Sequence, residues 1–285
     1  MDSAARPPVR TAVRLALIAG ALISALLWQA TAPARAAAAT GLCSNGSSPG
    51  EARRLSADIG AAASARHGAV SVAFVDPASG VACALRGRDR FDSASVIKAT
   101  ILATLLYQAK ARHRWLSARE RALATAMITR SDNGAASALW SRVGAGAGVR
   151  RFLGAAGMAD TVPGSGGYWG LSRITAMDQA RLLTLLVLDN GVLDRRSRGY
   201  ELGLMTRVVA RQRWGAPTGA ARGEAVAVKN GWLPRSFLGW RINTIGAATG
   251  RRTYVMAILS DGNPSMGYGV ASVSRIASAI NRDMA

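Results

Sequence analysis

Histidine, cysteine, lysine and glutamate are all scarce in this 285-residue chain, and each shortage removes a class of chemistry. The two histidines, His67 and His113, fall at a helix end and in an arginine-rich turn, which is poor material for a Ser-His-Asp triad. Two histidines and two cysteines do not make a ligand cluster, so no zinc site, and no metal or other cofactor, is expected. Of 36 basic residues only Lys98, Lys110 and Lys229 are lysine. Arginine stays protonated in a protein, whereas a desolvated lysine can give up its proton. The rare lysines therefore mark places where arginine could not serve. Glutamate occurs only at positions 51, 120, 201 and 224.

No apolar run is long enough for an ordinary membrane span. The longest, Leu15–Leu27, has 13 residues, follows Arg6, Arg10 and Arg14, and precedes Ala34-Arg35-Ala36. This is the build of a signal peptide over residues 1–36, and it places the mature protein outside the cytoplasm with no stable membrane insertion. The residue before Cys43 is Leu42, not the small residue that lipid attachment wants. In an oxidising compartment Cys43 and Cys83 can pair, the other reading being two free thiols.

Residues 1–36 hold four arginines and one aspartate, so cleavage leaves a net charge of about +17 from +20. The arginines are spread along the chain without a nucleic-acid-binding motif, so no nucleic-acid partner is expected. An anionic cell envelope is the plainer attraction for such a surface.

Hydrophobic residues make up 49% of the chain, enough for a substantial core. Residues 37–50 read as a linker. Helical spacing of Leu55, Ile59 and Ala62 predicts a helix over 51–66. Val70–Val75 and Val81–Leu85, joined by Asp76-Pro77-Ala78-Ser79-Gly80, predict a hairpin. From Ser95 to about Ala210 the pattern is helical. Helices are expected at Ala99–Lys110, Ala118–Thr129 capped by Ser117, and Asn133–Val143, with a break at Gly144–Gly148. Val149–Gly157, Ala176–Leu188 capped by Thr175, and Arg198–Arg211 follow. Val226–Val228 leads into Lys229-Asn230-Gly231, read as a turn. A second hairpin, Trp240–Ala248 with Thr253–Ser260, precedes a closing helix, Met266–Arg282. Strands at both ends with helices between them predict an α+β fold: one antiparallel sheet flanked by the N- and C-terminal helices, with an inserted all-helical lobe. The sheet lobe would comprise 51–92 and 222–285, and the helical lobe 93–221, together one domain over 51–285.

Three short motifs carry chemistry. Ser95-Val96-Ile97-Lys98 opens a buried helix, where positions i and i+3 share a face, so the Lys98 amine is expected to reach the Ser95 hydroxyl. A helix N-terminus suits an oxyanion, and a desolvated amine can act as base toward serine. Ser131-Asp132-Asn133 lies between two helices, and Lys229-Asn230-Gly231 follows a strand. Two of the three lysines thus fall in motifs.

In this order and local setting the motifs resemble those of the penicillin-recognising serine hydrolases, and most of all the class A β-lactamases, over roughly Gly50 to Ala285. The resemblance implies that Ser95 is acylated, with Lys98 as its base. It makes Ser131 the relay of a proton to the leaving nitrogen and Asp132 a structural residue. Asn133 would bind substrate amide and orient Lys98, and Lys229 would attract a substrate carboxylate and polarise Ser131. Gly231 would let substrate lie along the strand edge. The backbone N–H groups of Ser95 and Trp232 would form the oxyanion hole.

The chain departs from that pattern in three places. Ser131 follows Ser95 by only 36 positions, which implies a trimmed, more open cleft. Asn230 stands where a hydroxyl residue is usual, and its amide is expected to donate to a substrate carboxylate instead. Between Asn133 and Thr175 the only acid is Asp160, read as a turn or cap residue, so the glutamate that activates the deacylating water is missing. Tyr168, Trp169 and Trp232 are candidate cleft walls, Trp240 a core residue, and Arg241 either a carboxylate ligand or a solvated charge. The expectation is an exported monomeric serine hydrolase that opens a small β-lactam or related amide. The alternatives are a peptidoglycan-directed D-Ala peptidase or transpeptidase, or another amide or ester hydrolase with slow deacylation, and a non-catalytic envelope-binding protein.

Overall fold

Five strands pair antiparallel throughout, in the order β2-β1-β7-β6-β5: β1 Ala69–Asp76, β2 Val81–Leu85, β5 Ala225–Arg235, β6 Gly239–Thr249 and β7 Thr253–Asn263. A small second sheet pairs β3 (Phe91–Asp92) with β4 (Arg173–Ile174). The computed structural model describes residues 41–44 and 46–285; the expected signal peptide, 1–36, lies outside them.

Both faces of the large sheet are covered, which is why its strands read as near-continuous apolar runs rather than alternating ones. On β1, Phe74 packs on Tyr254, whose hydroxyl donates to Asn281 of the last helix, α8 (Met266–Met284). Ala73 and Val75, on the opposite face, share a groove with Met177 and Ala180 of α6 (Ala176–Val187). The first helix, α1 (Pro49–Ser64), packs beside α8. The α+β arrangement is therefore as expected, with the described residues forming one compact unit.

The expected linker is docked where it is described. Ser44 N donates to Ala82 O (2.7 Å), Ala84 N to Leu42 O (2.8 Å) and Ser47 N to Ser79 O (2.7 Å), so these residues run along the β2 edge. Cys43 is disulfide-bonded to Cys83.

The helical side is built around α2 (Ile97–Ala111), which is apolar on all sides and buried along nearly its whole length. Three boundaries differ from the sequence expectation. Helix α5 starts at Ala145, so Gly146 and Gly148 lie inside it. A Cβ on Gly148 would sit 1.7 Å from Val143 O, so this glycine permits a close approach to the end of α4 (Asn133–Arg142) instead of breaking a helix. Helix α7 runs Arg195–Thr206, because the Asp194 carboxylate caps it by accepting from Ser197 N (2.8 Å). Strand β5 continues through Lys229-Asn230-Gly231 to Arg235, so that motif is strand and not turn.

Glu120 fixes the helical hairpin next to the site. It completes the capping box of α3 (Ala118–Thr129) with Ser117, and its carboxylate accepts from Arg114 (2.7 and 2.9 Å) and from Arg142 of α4 (3.0 Å). These bonds, Arg114's first, hold its pKa down to about 2. A folded-state value below the ordinary 4.5 contributes stability above pH about 4.5 that is lost as the pH falls toward 2. Urea unfolding across that window should show a loss of about 2 to 3 kcal/mol that Glu120→Gln largely abolishes.

Candidate functional site

Ser95 lies in a short 3-10 turn, Ala94–Val96, wedged between the sheet and α2. Several groups pin that turn. Asn243 of β6, fully buried, donates to Asp92 O (2.9 Å) and Ser93 O (3.3 Å). Ser93 N donates to Ser172 O (2.8 Å) and its hydroxyl to Gly170 O (3.2 Å). Ala94 is held at φ 45°, a left-handed conformation that costs a non-glycine residue on the order of 1–2 kcal/mol and so has to be held by its surroundings. Asn243 was not singled out from the sequence. The available signal was an asparagine in the interior of a strand.

Gly231 lets β5 approach this turn. A Cβ there would lie 2.8 Å from Ser95 N and from Ser93 O, and 2.9 Å from Val96 N. Only glycine leaves room for strand and turn to meet at this spacing.

Lys98, one residue into α2, is fully buried. Its Nζ donates to Ser131 O (2.6 Å), Ser131 Oγ (3.1 Å) and Asn133 Oδ1 (2.7 Å). The expected direct bond to the Ser95 hydroxyl is not among these. The physical reason is that the three N–H donors of the ammonium are already taken by Ser131 O, Ser131 Oγ and Asn133 Oδ1. Burial brings the Lys98 pKa down to about 8, against the opposing pull of Asp132. Asp132 itself caps α4, accepting from Ala135 N (2.7 Å).

Lys229, also fully buried, donates to Ser131 Oγ (3.1 Å) and to Asn230 O (2.9 Å). Burial, and then the neighbouring Lys98, push its pKa well below the ordinary lysine range. The Ser131 hydroxyl thus stands between two buried amines, on a residue held at φ 58°.

Asn230 requires a correction. Its Nδ2 donates to Gln212 O (2.8 Å) and Trp214 O (2.9 Å), away from the cleft, and the residue is buried. Both amide hydrogens are committed, so Asn230 fixes β5 from behind and does not face a ligand. The cause is strand alternation: side chains at consecutive positions of β5 point to opposite faces.

A cleft of about 430 Å³ opens in front of Ser95. Asn133, Tyr168, Trp169, Leu171, Trp232 and Leu233 are among its walls. The Trp169 ring lies 4.8 Å from Lys98 Nζ, and its Nε1 donates to Ser137 Oγ (3.1 Å). Such a placement is a cation–π contact. Asp160 pairs instead with Arg88 (2.6 Å) and does not line the cleft. Arg241 is buried, with its Nε 3.6 Å from the Asp92 carboxylate, and is thus neither solvated nor a cleft wall. Trp240 is partly buried against the core. Among the described residues no group of three or more histidine, cysteine or acidic side chains is placed to hold a metal ion.

Gly231→Ala tests the close approach of strand and turn. It should leave the far-ultraviolet circular dichroism unchanged while slowing reaction of Ser95 with a fluorophosphonate probe by on the order of a hundredfold or more.

Comparison with known proteins agrees with this architecture. The family described as "Beta-lactamase enzyme family" matches residues 116–284, a span that contains Ser131 and Lys229 but begins after Ser95 and Lys98. A Mycobacterium tuberculosis protein named "Putative lipoprotein LppW" is 29% identical over 241 residues, covering 82% of this chain and 75% of that one. A class A beta-lactamase from Bacteroides cellulosilyticus superposes with a TM-score of 0.72 at 14% identity, over 82% of this chain and 98% of its own. A beta lactamase from Xanthomonas campestris pv. campestris gives 0.70 at 19% identity, over 82% and 99%. The fold is that of the class A β-lactamases, and the chain belongs to the beta-lactamase enzyme family.

Proposed function

We propose that the protein is an exported serine hydrolase, acylated at Ser95, that opens a β-lactam or a related amide. The observation that carries this reading is the Ser131 hydroxyl held between the Lys98 and Lys229 amines beside the Ser95 cleft. Ser95 Oγ attacks the carbonyl carbon, and its proton passes to neutral Lys98, directly after a small side-chain adjustment or through Ser131. The C–N bond then breaks, and Ser131 delivers a proton to the departing nitrogen while Lys98 returns one to Ser131. Lys229 contributes positive potential toward a substrate carboxylate whenever it carries its proton. The N–H groups of Ser95 and Trp232 are the proposed donors to the oxyanion. Asn133 orients Lys98 and offers its amide nitrogen to the cleft.

A second reading, acylation with slow hydrolysis, is favoured by Trp169. An indole, not a carboxylate, lies over Lys98, and no acidic side chain is among the cleft walls. A protein that holds its acyl group would suit transfer to an amine, as in peptidoglycan-directed chemistry, better than fast β-lactam clearance.

Intact mass against time after penicillin addition separates the readings. A Ser95-dependent adduct that clears within seconds supports rapid hydrolysis, one persisting for minutes supports the second reading, and no adduct refutes both. The acylation rate should rise about tenfold per pH unit below 8 and level off above it, because Lys98 with a pKa of about 8 must be neutral to act. Lys98→Arg, which cannot lose its proton, should abolish the acylation and with it the profile.

A further inference from the structure

The β5–β6 turn carries the most exposed large hydrophobic side chain among the described residues, with a second exposed one beside it. Phe237 is fully exposed and Leu238 is 56% exposed. Phe237 also has φ 62°, a conformation that bulky residues avoid, so the turn bears strain as well as an uncovered aromatic ring. The turn is nevertheless held in place. Arg241 Nη1 donates to Leu238 O (2.7 Å), and Leu238 N donates to Arg235 O (3.0 Å).

A basic collar surrounds this tip. Arg173, Arg235 and Arg241 converge on the single carboxylate of Asp92, at 2.9, 3.5 and 3.6 Å. Arg90, exposed, joins them through its carbonyl, which accepts from Arg173. Three guanidinium groups against one buried acid leave a local surplus of about two positive charges, while the Arg90 guanidinium turns aside to Asp160 O (2.8 Å). Arg173 and Arg235 remain 46% and 38% exposed, so their charge reaches solvent.

We propose that this turn is a peripheral membrane contact, seating Phe237 and Leu238 in the interface of a bilayer that carries anionic lipid. An apolar tip ringed by arginine is the amphipathic chemistry that interfacial anchors use: rings and aliphatic groups enter the headgroup boundary while cations stay with lipid phosphate. A second copy of the chain fits less well, because two such collars would repel. A globular protein partner also fits less well, since a stable interface needs on the order of 800 Å² per side and the tip offers two side chains. The same strand presents Trp232 and Leu233 to the cleft, so a seated tip would hold the cleft mouth close to the lipid surface. This contact is independent of the chemistry at Ser95. Among the described residues no helix is long and apolar enough to cross a membrane, so the contact is one of surface and not of span.

The test uses the full chain with Ser236→Cys, labelled with an environment-sensitive nitrobenzoxadiazole group. Cys43 and Cys83 are bonded to each other, so the new thiol is the one that reacts. Ala78→Cys, in the turn at the opposite end of the sheet, carries the same label as a reference. Vesicles of phosphatidylcholine with phosphatidylglycerol should blue-shift the Ser236 label and raise its emission about twofold or more. Pure phosphatidylcholine should give a weaker response, and the Ala78 label should give none. Adding Phe237→Ser with Leu238→Ser should weaken the half-saturating lipid concentration at least about tenfold, at unchanged thermal melting. An unresponsive Ser236 label, an equal response at Ala78, or unaltered affinity in the serine variant would each overturn the proposal. So would a Ser236 response that follows protein concentration in the absence of vesicles, which would indicate self-association.

Discussion

Two amines taken out of water and aimed at one hydroxyl define this molecule. Removing an ammonium from water is costly, and two cations sharing one acceptor repel as well, so Lys98 and Lys229 sit near Ser131 only because everything around them insists on it. The insistence is visible. Lys98 is held by Ser131 O and Asn133, Lys229 by Asn230 O, and Ser131 accepts a left-handed backbone to stand between them. Stability is spent here in return for amines that hold their protons less tightly than exposed lysines do.

Each participant comes from a different element, so the site is a meeting of parts. The 3-10 turn brings Ser95, α2 brings Lys98, the α3–α4 connection brings Ser131 and Asn133, and β5 brings Lys229 and Gly231. Glu120 ties α3 to α4 through Arg142 and to the α2–α3 connection through Arg114, Asn243 ties the Ser95 turn to the sheet, and Asn230 ties β5 to the segment behind it. These three polar side chains lie outside the cleft and determine where it is. The loop that carries Trp169 closes the remaining side with an aromatic face, which gives Lys98 a partner that can neither accept nor supply a proton.

Much of this was legible before any coordinates. Ser117 and Thr175 as caps, the hairpin over 70–85 and the antiparallel sheet follow from local turn and cap chemistry, which is short-range and so is written locally. Lysine scarcity pointed to Lys98 and Lys229 because arginine dominates everywhere else. What was not legible depended on long-range packing. The side chain of Asn230 turns away from the cleft because of strand parity across a motif that reads, in isolation, as a turn. The glycine at 148 reads as a helix breaker, yet it is required by the close approach of two helices. The Ser95–Lys98 pair looks like a direct bond across one helical turn, but the amine is taken up by Ser131 and Asn133, far along the chain.

The segment before α1 has a consequence of its own. Leu42, Ser44 and Ser47, bonded along β2 and cross-linked to it through Cys43, cover a strand edge that would otherwise offer a row of unpaired amides. At the far side of the sheet, β5 is covered where Gly231 meets the Ser95 turn. With the β2 margin occupied by its own chain, growth of the sheet by recruiting a foreign strand is discouraged there.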